Sequence, residues 1–285
     1  MEAYSPRIMI AGETGGTGAS TTTKIVAQHL DLPTISGGKY FRGLANRFDA
    51  FHQQQGCEAM VAYNLFLSLY ERIYDTQGLQ GVTQAMEEGI RDGANGEVLG
   101  KFEHVIEQAK KKNKKNVHQV WDYIVDQQTI QEALSKPGFV WESKLALIAT
   151  ELDQMQAIVP HNNYSSAPQL RVLLSLDPRV AAQRVGQREG RKVNTAEIKL
   201  RKKRDFDRYR ELYQIHGHPV TPKDLVRFSD IQIDTQLLNA KEVSAQILKG
   251  YITKVSKLGQ SEQVFAGPAI AEVTYALTQL QNLAV

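Results

Sequence analysis

The sequence predicts a three-layer α/β domain on a parallel sheet of about five strands, with a long helical insertion and an extra C-terminal helix. Three observations carry that expectation. Short apolar runs of strand length alternate with stretches of helical periodicity. The first run passes through a glycine-rich turn directly into a helix. Finally, a mostly helical stretch, 43–137, separates the second apolar run from the third. The expected strands are 8–11, 32–35, 138–142, 170–176 and 225–233.

The first strand, 8–11, ends in a turn carrying Gly12, Gly15, Gly16 and Gly18, and the helix expected over 20–30 puts Ile25, Val26 and Leu30 on one face. Strand, glycine turn, helix is the architecture of a phosphate cradle. Glycines let backbone N–H groups approach an anion, and the helix N-terminus adds partial positive charge. Gly18-Ala19-Ser20 stands where Gly-Lys-[Ser/Thr] closes the usual nucleotide-binding loop. Two departures are plain. Ala19 replaces the phosphate-binding lysine. The first glycine of the usual spacing would fall on Glu13, so with Gly12 the loop is one residue longer than usual. An ordinary glycine-rich connection is the alternative on this stretch alone. Ser20 keeps the hydroxyl that commonly holds magnesium.

With 285 residues, 42% of them hydrophobic, the chain can bury a substantial core. A net charge of +3 gives no argument for nucleic acid. The single Cys57 excludes an internal disulfide and fits a reducing cytosol. The start shows no signal-peptide pattern and no apolar run approaches a membrane span. A cytoplasmic protein without a membrane segment is expected.

Between the second and third strands, helices are expected over 57–74, 80–90, 97–109 and 117–134. The lysine run at 110–115 reads as a solvated helix end or as a nucleic-acid contact, and no interleaved aromatics favour the second. Ser36-Gly37-Gly38-Lys39-Tyr40-Phe41-Arg42 is either an anion contact or a solvated turn. Glu142, Ser143 and Lys144 emerge at the end of the third strand, the edge where open sheets bind ligands. Lys144 is a candidate contact there or simply a helix start. After 170–176, Asp177-Pro178 opens a helix with Arg184 and Arg188 on one face, followed by a mobile basic loop at 189–192. Asn194 caps the next helix, in which Arg201, Asp205 and Arg208 fall on one stripe. That stripe reads equally as a phosphate-and-sugar grip or as a salt-bridged surface. A helix is expected over 234–250. The last helix is placed from Pro268, and its apolar stripe must bury against the body or a second subunit.

Four stretches together resemble the cytidylate kinases, within the P-loop nucleoside monophosphate kinases, and more narrowly the branch common in archaea and some bacteria. Gly15-Gly16-Thr17-Gly18-Ala19-Ser20-Thr21-Thr22 is similar to that branch's glycine loop, where threonine often replaces lysine. Ser36 to Arg42 resembles its Ser-x-Gly-x-x-Phe-Arg monophosphate motif. Arg184-Val185-Gly186-Gln187-Arg188-Glu189-Gly190 resembles its lid. Arg201, Asp205, Arg208, Tyr209 and Tyr213 follow its Arg-x-x-x-Asp/Glu-x-x-Arg-Tyr-x-x-x-Tyr pattern. The chain departs from the family at Ala19, at Lys39, where an acidic residue is frequent, and at Lys144, where arginine is frequent.

The resemblance implies a P-loop kinase domain over 1–258, with 43–137 as an enlarged acceptor-side subdomain, 184–194 as a lid and 259–285 as a C-terminal extension. It implies Mg-ATP-dependent phosphoryl transfer to CMP or dCMP by a monomer or homodimer. Gly15, Gly16, Thr17, Gly18, Ala19, Ser20 and Thr21 would bind ATP, and Ser20 would hold Mg2+. Ser36, Gly38, Arg42, Lys144, Arg201, Asp205 and Arg208 would bind the acceptor. Arg184, Arg188 and Arg201 would be the catalytic cations. The other readings are a P-loop kinase for a different small acceptor and a catalytically weak nucleotide-binding protein acting through partners.

Overall fold

Seven short strands are described in a computed structural model of the chain, which describes residues 5–91, 96–112, 117–152, 169–257 and 260–282. Five of them form one parallel sheet: β1 (Arg7–Gly12), β2 (Thr34–Ser36), β3 (Phe139–Glu142), β4 (Gln169–Ser175) and β7 (Ile231–Asp234). β5 (Gln214–Ile215) and β6 (His218–Pro219) make a separate small hairpin. The sheet order is β2-β3-β1-β4-β7. β1 is central, and in register Ile8 lies between Val140 and Leu170, with Ile10 beside Glu142 and Val172. The chain leaves β1 toward the β2 edge but returns past β1 to reach β4. Loops following β1 and β3 therefore open a crevice at the point where the strand order reverses.

Helices cover both faces, as a parallel sheet requires. On one face lie α1 (Ala19–Leu30), α10 (Ala240–Val255) and α11 (Gln260–Asn282). On the other lie α6 (Lys144–Ile148) and α9 (Pro222–Phe228). The core between sheet and first face is aliphatic: Ile8, Ile10, Val26, Val140, Val172, Leu174, Ile247 and Leu248. Val273, Ala276 and Leu280 of α11 are buried in that same core. The stripe that the sequence left open between body and second subunit is covered by the body. α7 (Pro178–Glu189) and α8 (Thr195–Leu212) pack on each other around Val185 and Ile198.

The chain divides into two compact units, Met1–Ile35 with Glu132–Val285, and Ser36–Gln131. The second is helical: α2 (Gly37–Gln55), α3 (Ala59–Arg91), α4 (Gly96–Lys112) and most of α5 (Val117–Leu134). Its core is aromatic. Phe48, Tyr63, Phe66, Tyr70, Phe102 and Trp121 meet edge to face or tilted, at centroid distances from 4.7 Å to 6.5 Å. Trp121 Nε1 donates to the Tyr63 hydroxyl at 2.9 Å, so the buried indole N–H is satisfied.

Four expectations are corrected. Residues 225–228 are helical, not strand. Thr221 and Asp224 form a capping box, with Pro222 at the first helical position, and β7 starts only at Ile231. The two helices expected at 57–74 and 80–90 are one, α3. The helix expected from 234 starts at Ala240, behind an Asn239–Glu242 capping box. α11 starts at Gln260, ahead of Pro268. Lys110 to Lys112 close α4, and the rest of the lysine run reaches beyond the described residues. No described helix is long and apolar enough to cross a membrane.

Candidate active site

The glycine loop joins β1 to α1. Gly16 and Gly18 hold φ of 86° and 81°, the left-handed region that costs other residues energy. An added Cβ on Gly16 would also meet the Ala181 carbonyl at 3.1 Å. Gly12 is needed for another reason: a Cβ there would lie 2.3 Å from Thr17 Oγ1. Thr17 in turn donates to the Thr14 carbonyl at 3.3 Å. That fold-back accommodates the extra residue. Glu13 is anchored outward, its N–H donating to the Leu174 carbonyl and its carboxylate paired with Lys202 of α8.

Gly18 is the N-cap of α1 and offers no side-chain cap. The first N–H groups of a helix have no partner inside it, and the dipole places partial positive charge there. A cavity of about 450 Å3 opens beside this terminus. The loop from Thr14 to Thr21 lines it, together with Glu142, Lys144, Arg184, Arg188 and Asp205. Thr14 is buried and its Oγ1 has no hydrogen-bond partner among the described residues. An unsatisfied buried hydroxyl is costly, and a ligand oxygen would satisfy it.

Ser20 Oγ donates to Glu142 Oε1 at 2.5 Å. Strand β3 delivers this carboxylate, since Glu142 sits beside Ile10 in register. A hydroxyl and a carboxylate touching at the loop are hard oxygen donors of the kind magnesium takes, alongside phosphate oxygens. Among the described residues no group of three or more His, Cys, Asp or Glu could hold a metal. Lys144, at the first position of α6, pairs with Asp205 of α8, and its ammonium lies 5.5 Å from the Phe206 ring centre.

The arginines divide. Arg184 donates to three carbonyls: Thr235 at 2.9 Å, Gln236 at 3.1 Å and Gly16 at 3.4 Å. Arg188 is 65% exposed beside Glu189. Both belong to α7. The basic loop expected to be mobile at 189–192 is instead tied into a charge cluster. Arg191 pairs with Glu189 at 2.8 Å and Glu197 at 2.5 Å, and Arg201 with Glu189 at 3.0 Å and Glu197 at 2.8 Å. The Arg201 hydrogen bond, aided by the Arg191 charge, holds the Glu189 carboxyl down at about 2. Glu197 is lowered too, chiefly by Arg191. Asn194 caps α8 as expected, accepting from the Glu197 N–H at 2.9 Å.

Of the sequence-derived site residues, Gly15, Gly16, Thr17, Gly18, Ala19, Ser20, Thr21, Lys144, Arg184, Arg188 and Asp205 line one cavity. Arg201 is held by the charge cluster, and the Arg208 guanidinium stacks on the Tyr209 ring at 4.6 Å. Ser36, Gly38 and Arg42 belong to the helical unit, where a Cβ added on Gly38 would meet the Arg42 guanidinium at 3.4 Å and the Ser36 hydroxyl at 3.6 Å. Sequence reasoning overlooked Thr14 and the metal-ligand potential of Glu142. A carboxylate ending a buried strand, opposite the glycine loop, was the available signal for the latter.

No protein-family model matches the chain, and no curated protein matches it. Among solved structures, it is similar to an uncharacterized protein from Eubacterium ventriosum, 15% identical over 86% of this chain and 96% of that one, with a TM-score of 0.36. It is also similar to a protein from Chloroflexus aurantiacus described as a "putative kinase", 14% identical over 86% and 98%, with a TM-score of 0.30. Likenesses this remote say nothing about chemistry, which has to come from the site itself.

Proposed function

We propose that the chain is a P-loop kinase that transfers the γ-phosphoryl group of ATP to a small phosphorylated acceptor, CMP or dCMP first. The observation that carries this reading is the convergence in one cavity of three things: the left-handed glycine loop, the Ser20–Glu142 pair and the cations Lys144 and Arg188. In such a reaction an acceptor phosphate oxygen attacks the γ-phosphorus, and the bond to the β–γ bridging oxygen breaks. ADP and the acceptor diphosphate result. Positioning and charge stabilisation do most of the work.

The loop N–H groups from Gly15 to Ser20 would hold the β-phosphate, and Thr14 would add a hydroxyl. Ser20 and Glu142 would hold magnesium, which would supply positive charge against the polyphosphate. Arg188, largely exposed beside the cavity, would reach the transferring group. Arg184 braces the loop through the Gly16 carbonyl. Arg201 would serve the phosphates only by exchanging Glu189 and Glu197 for them. Asp205 and Arg208 would contact the acceptor's sugar and phosphate.

The test is ADP formation from Mg-ATP with CMP, dCMP, UMP, AMP and GMP, each against an ATP-only blank. Stimulation by CMP or dCMP alone is expected. Stimulation by another monophosphate keeps the mechanism and changes the acceptor. Bound ATP with no stimulation by any of them would leave a nucleotide-binding protein rather than an enzyme.

A further inference from the structure

The glycine loop lacks its lysine, yet the cavity does not lack a part-buried ammonium. Its lining cations are Lys144, Arg184 and Arg188. The Arg184 guanidinium is occupied by three backbone carbonyls. Arg188 sits at the exposed margin, with 65% of its side chain in solvent. Lys144 is the inner one, its side chain only 13% exposed.

The root of Lys144 is fixed beside the loop by two independent ties. The Ser143 N–H donates to the Ile10 carbonyl at 3.2 Å, continuing the β1–β3 pairing past Glu142. Glu142 accepts from Ser20 at 2.5 Å, and Ser20 is the residue directly after Ala19. A lysine stem of four carbons, starting here, lines the same cavity as Ala19 and the loop around it. Asp205, half exposed, holds the ammonium where a phosphate oxygen would compete for it.

We infer that Lys144 supplies, from the end of the third strand, the phosphate-binding charge that Ala19 withholds from the loop. The inference rests on the kinase reading and deepens it: the site grips the polyphosphate of a nucleoside triphosphate with a relocated lysine. Lys144 then serves the phosphoryl donor rather than the acceptor, and Asp205 keeps it in place.

The experiment titrates the full chain with Mg-ATP, Mg-ADP, adenosine and CMP, in the wild type, Lys144→Met, Lys144→Gln, Ala19→Lys and the Ala19→Lys/Lys144→Met double variant, each checked for unchanged melting. Lys144→Met is expected to weaken Mg-ATP and Mg-ADP by about tenfold to hundredfold, the range of a lost charged hydrogen bond, and to leave adenosine unchanged. Ala19→Lys should restore most of that loss in the double variant. Lys144→Gln should behave as Lys144→Met does, covering the case in which methionine disturbs folding. Mg-ATP binding within twofold of wild type, a loss confined to CMP, or no recovery by Ala19→Lys would each overturn the inference. A wild type without affinity for Mg-ATP would sink the kinase reading itself, before any variant is compared.

Discussion

The two compact units bury their interiors with different side chains. The sheet unit packs mainly Ile, Val and Leu between its sheet and α1, α10 and α11, where branched residues fit the pleated surface, while Phe139 and Trp141 meet edge to face on the other side of β3. The helical unit packs Phe, Tyr and Trp across four helices. The difference bears on recognition. In the sheet unit the buried strands fix the ends of β1 and β3, and the loop presents mostly backbone. Glycine placement therefore decides what it can hold. In the helical unit the polar candidates Ser36 and Arg42 are side chains on a helix and its cap, so recognition there depends on rotamers.

The largest effect expected from breaking this contrast is in the aromatic core. Trp121→Ala should cost about 3–5 kcal/mol, as large aromatic truncations do, and leave the Tyr63 hydroxyl without its donor. Denaturant unfolding followed by amide hydrogen exchange should show the loss in α2–α5 first. Equal loss of protection in β1 and β4 would mean that the two cores unfold as one.

A smaller effect is expected at high pH. Burial pushes the Tyr63 phenol up from 10.0 to about 12. A raised folded value means that the neutral form is preferred, so its stabilisation is complete below pH 10 and lost as pH rises through 12. The stability lost across that window is about 2–3 kcal/mol. Tyr63→Phe should flatten that alkaline loss, read by thermal melting between pH 9 and 12; an unchanged slope would contradict it.

In the sheet unit the sensitive position is backbone. Gly16→Ala should cost about 1–2 kcal/mol from the left-handed geometry alone, and more from crowding the Ala181 carbonyl. Its larger signature is loss of Mg-ATP binding, while Gly217→Ala in the β5–β6 hairpin, also left-handed but with open space around it, should lose stability alone. Equal nucleotide affinity in both variants would break the claim that the loop is special.

The smallest effect sits in the charge cluster. Glu189 titrates at about 2 instead of 4.5, so its contribution is complete above pH 4.5 and disappears as pH falls toward 2. Its side chain is partly exposed, and solvent screening limits the contribution to below about 1 kcal/mol. Glu189→Gln should remove that acid-side slope in melting temperature. A slope that survives the substitution would assign it to other carboxylates.

Legibility follows the same division. The strand–glycine–helix unit could be read because its parts are neighbours in sequence, and β1, β3, β4 and α1 lie within a residue or two of expectation. Glu142 reaches Ser20 across 122 residues, and no local pattern encodes such a meeting. The Lys144–Asp205 pair, 61 residues apart, is hidden for the same reason. The misreading of 225–228 as strand was avoidable: Thr221-Pro222 followed by Asp224 is a helix start written in the chain. The arginine stripe of α8 stayed ambiguous because spacing alone does not say which carboxylates arrive from elsewhere. Glu189 comes from α7, and it claims Arg201.

If the β1–α1 loop binds a polyphosphate through its backbone, its own amide resonances respond when Mg-ATP is titrated into the full chain. The largest, saturable shifts are expected at Gly15, Gly16, Thr17, Gly18, Ala19 and Ser20, with smaller ones at Glu142 and Lys144. Shifts that leave these amides untouched, or that arise only in the helical unit, would contradict that binding.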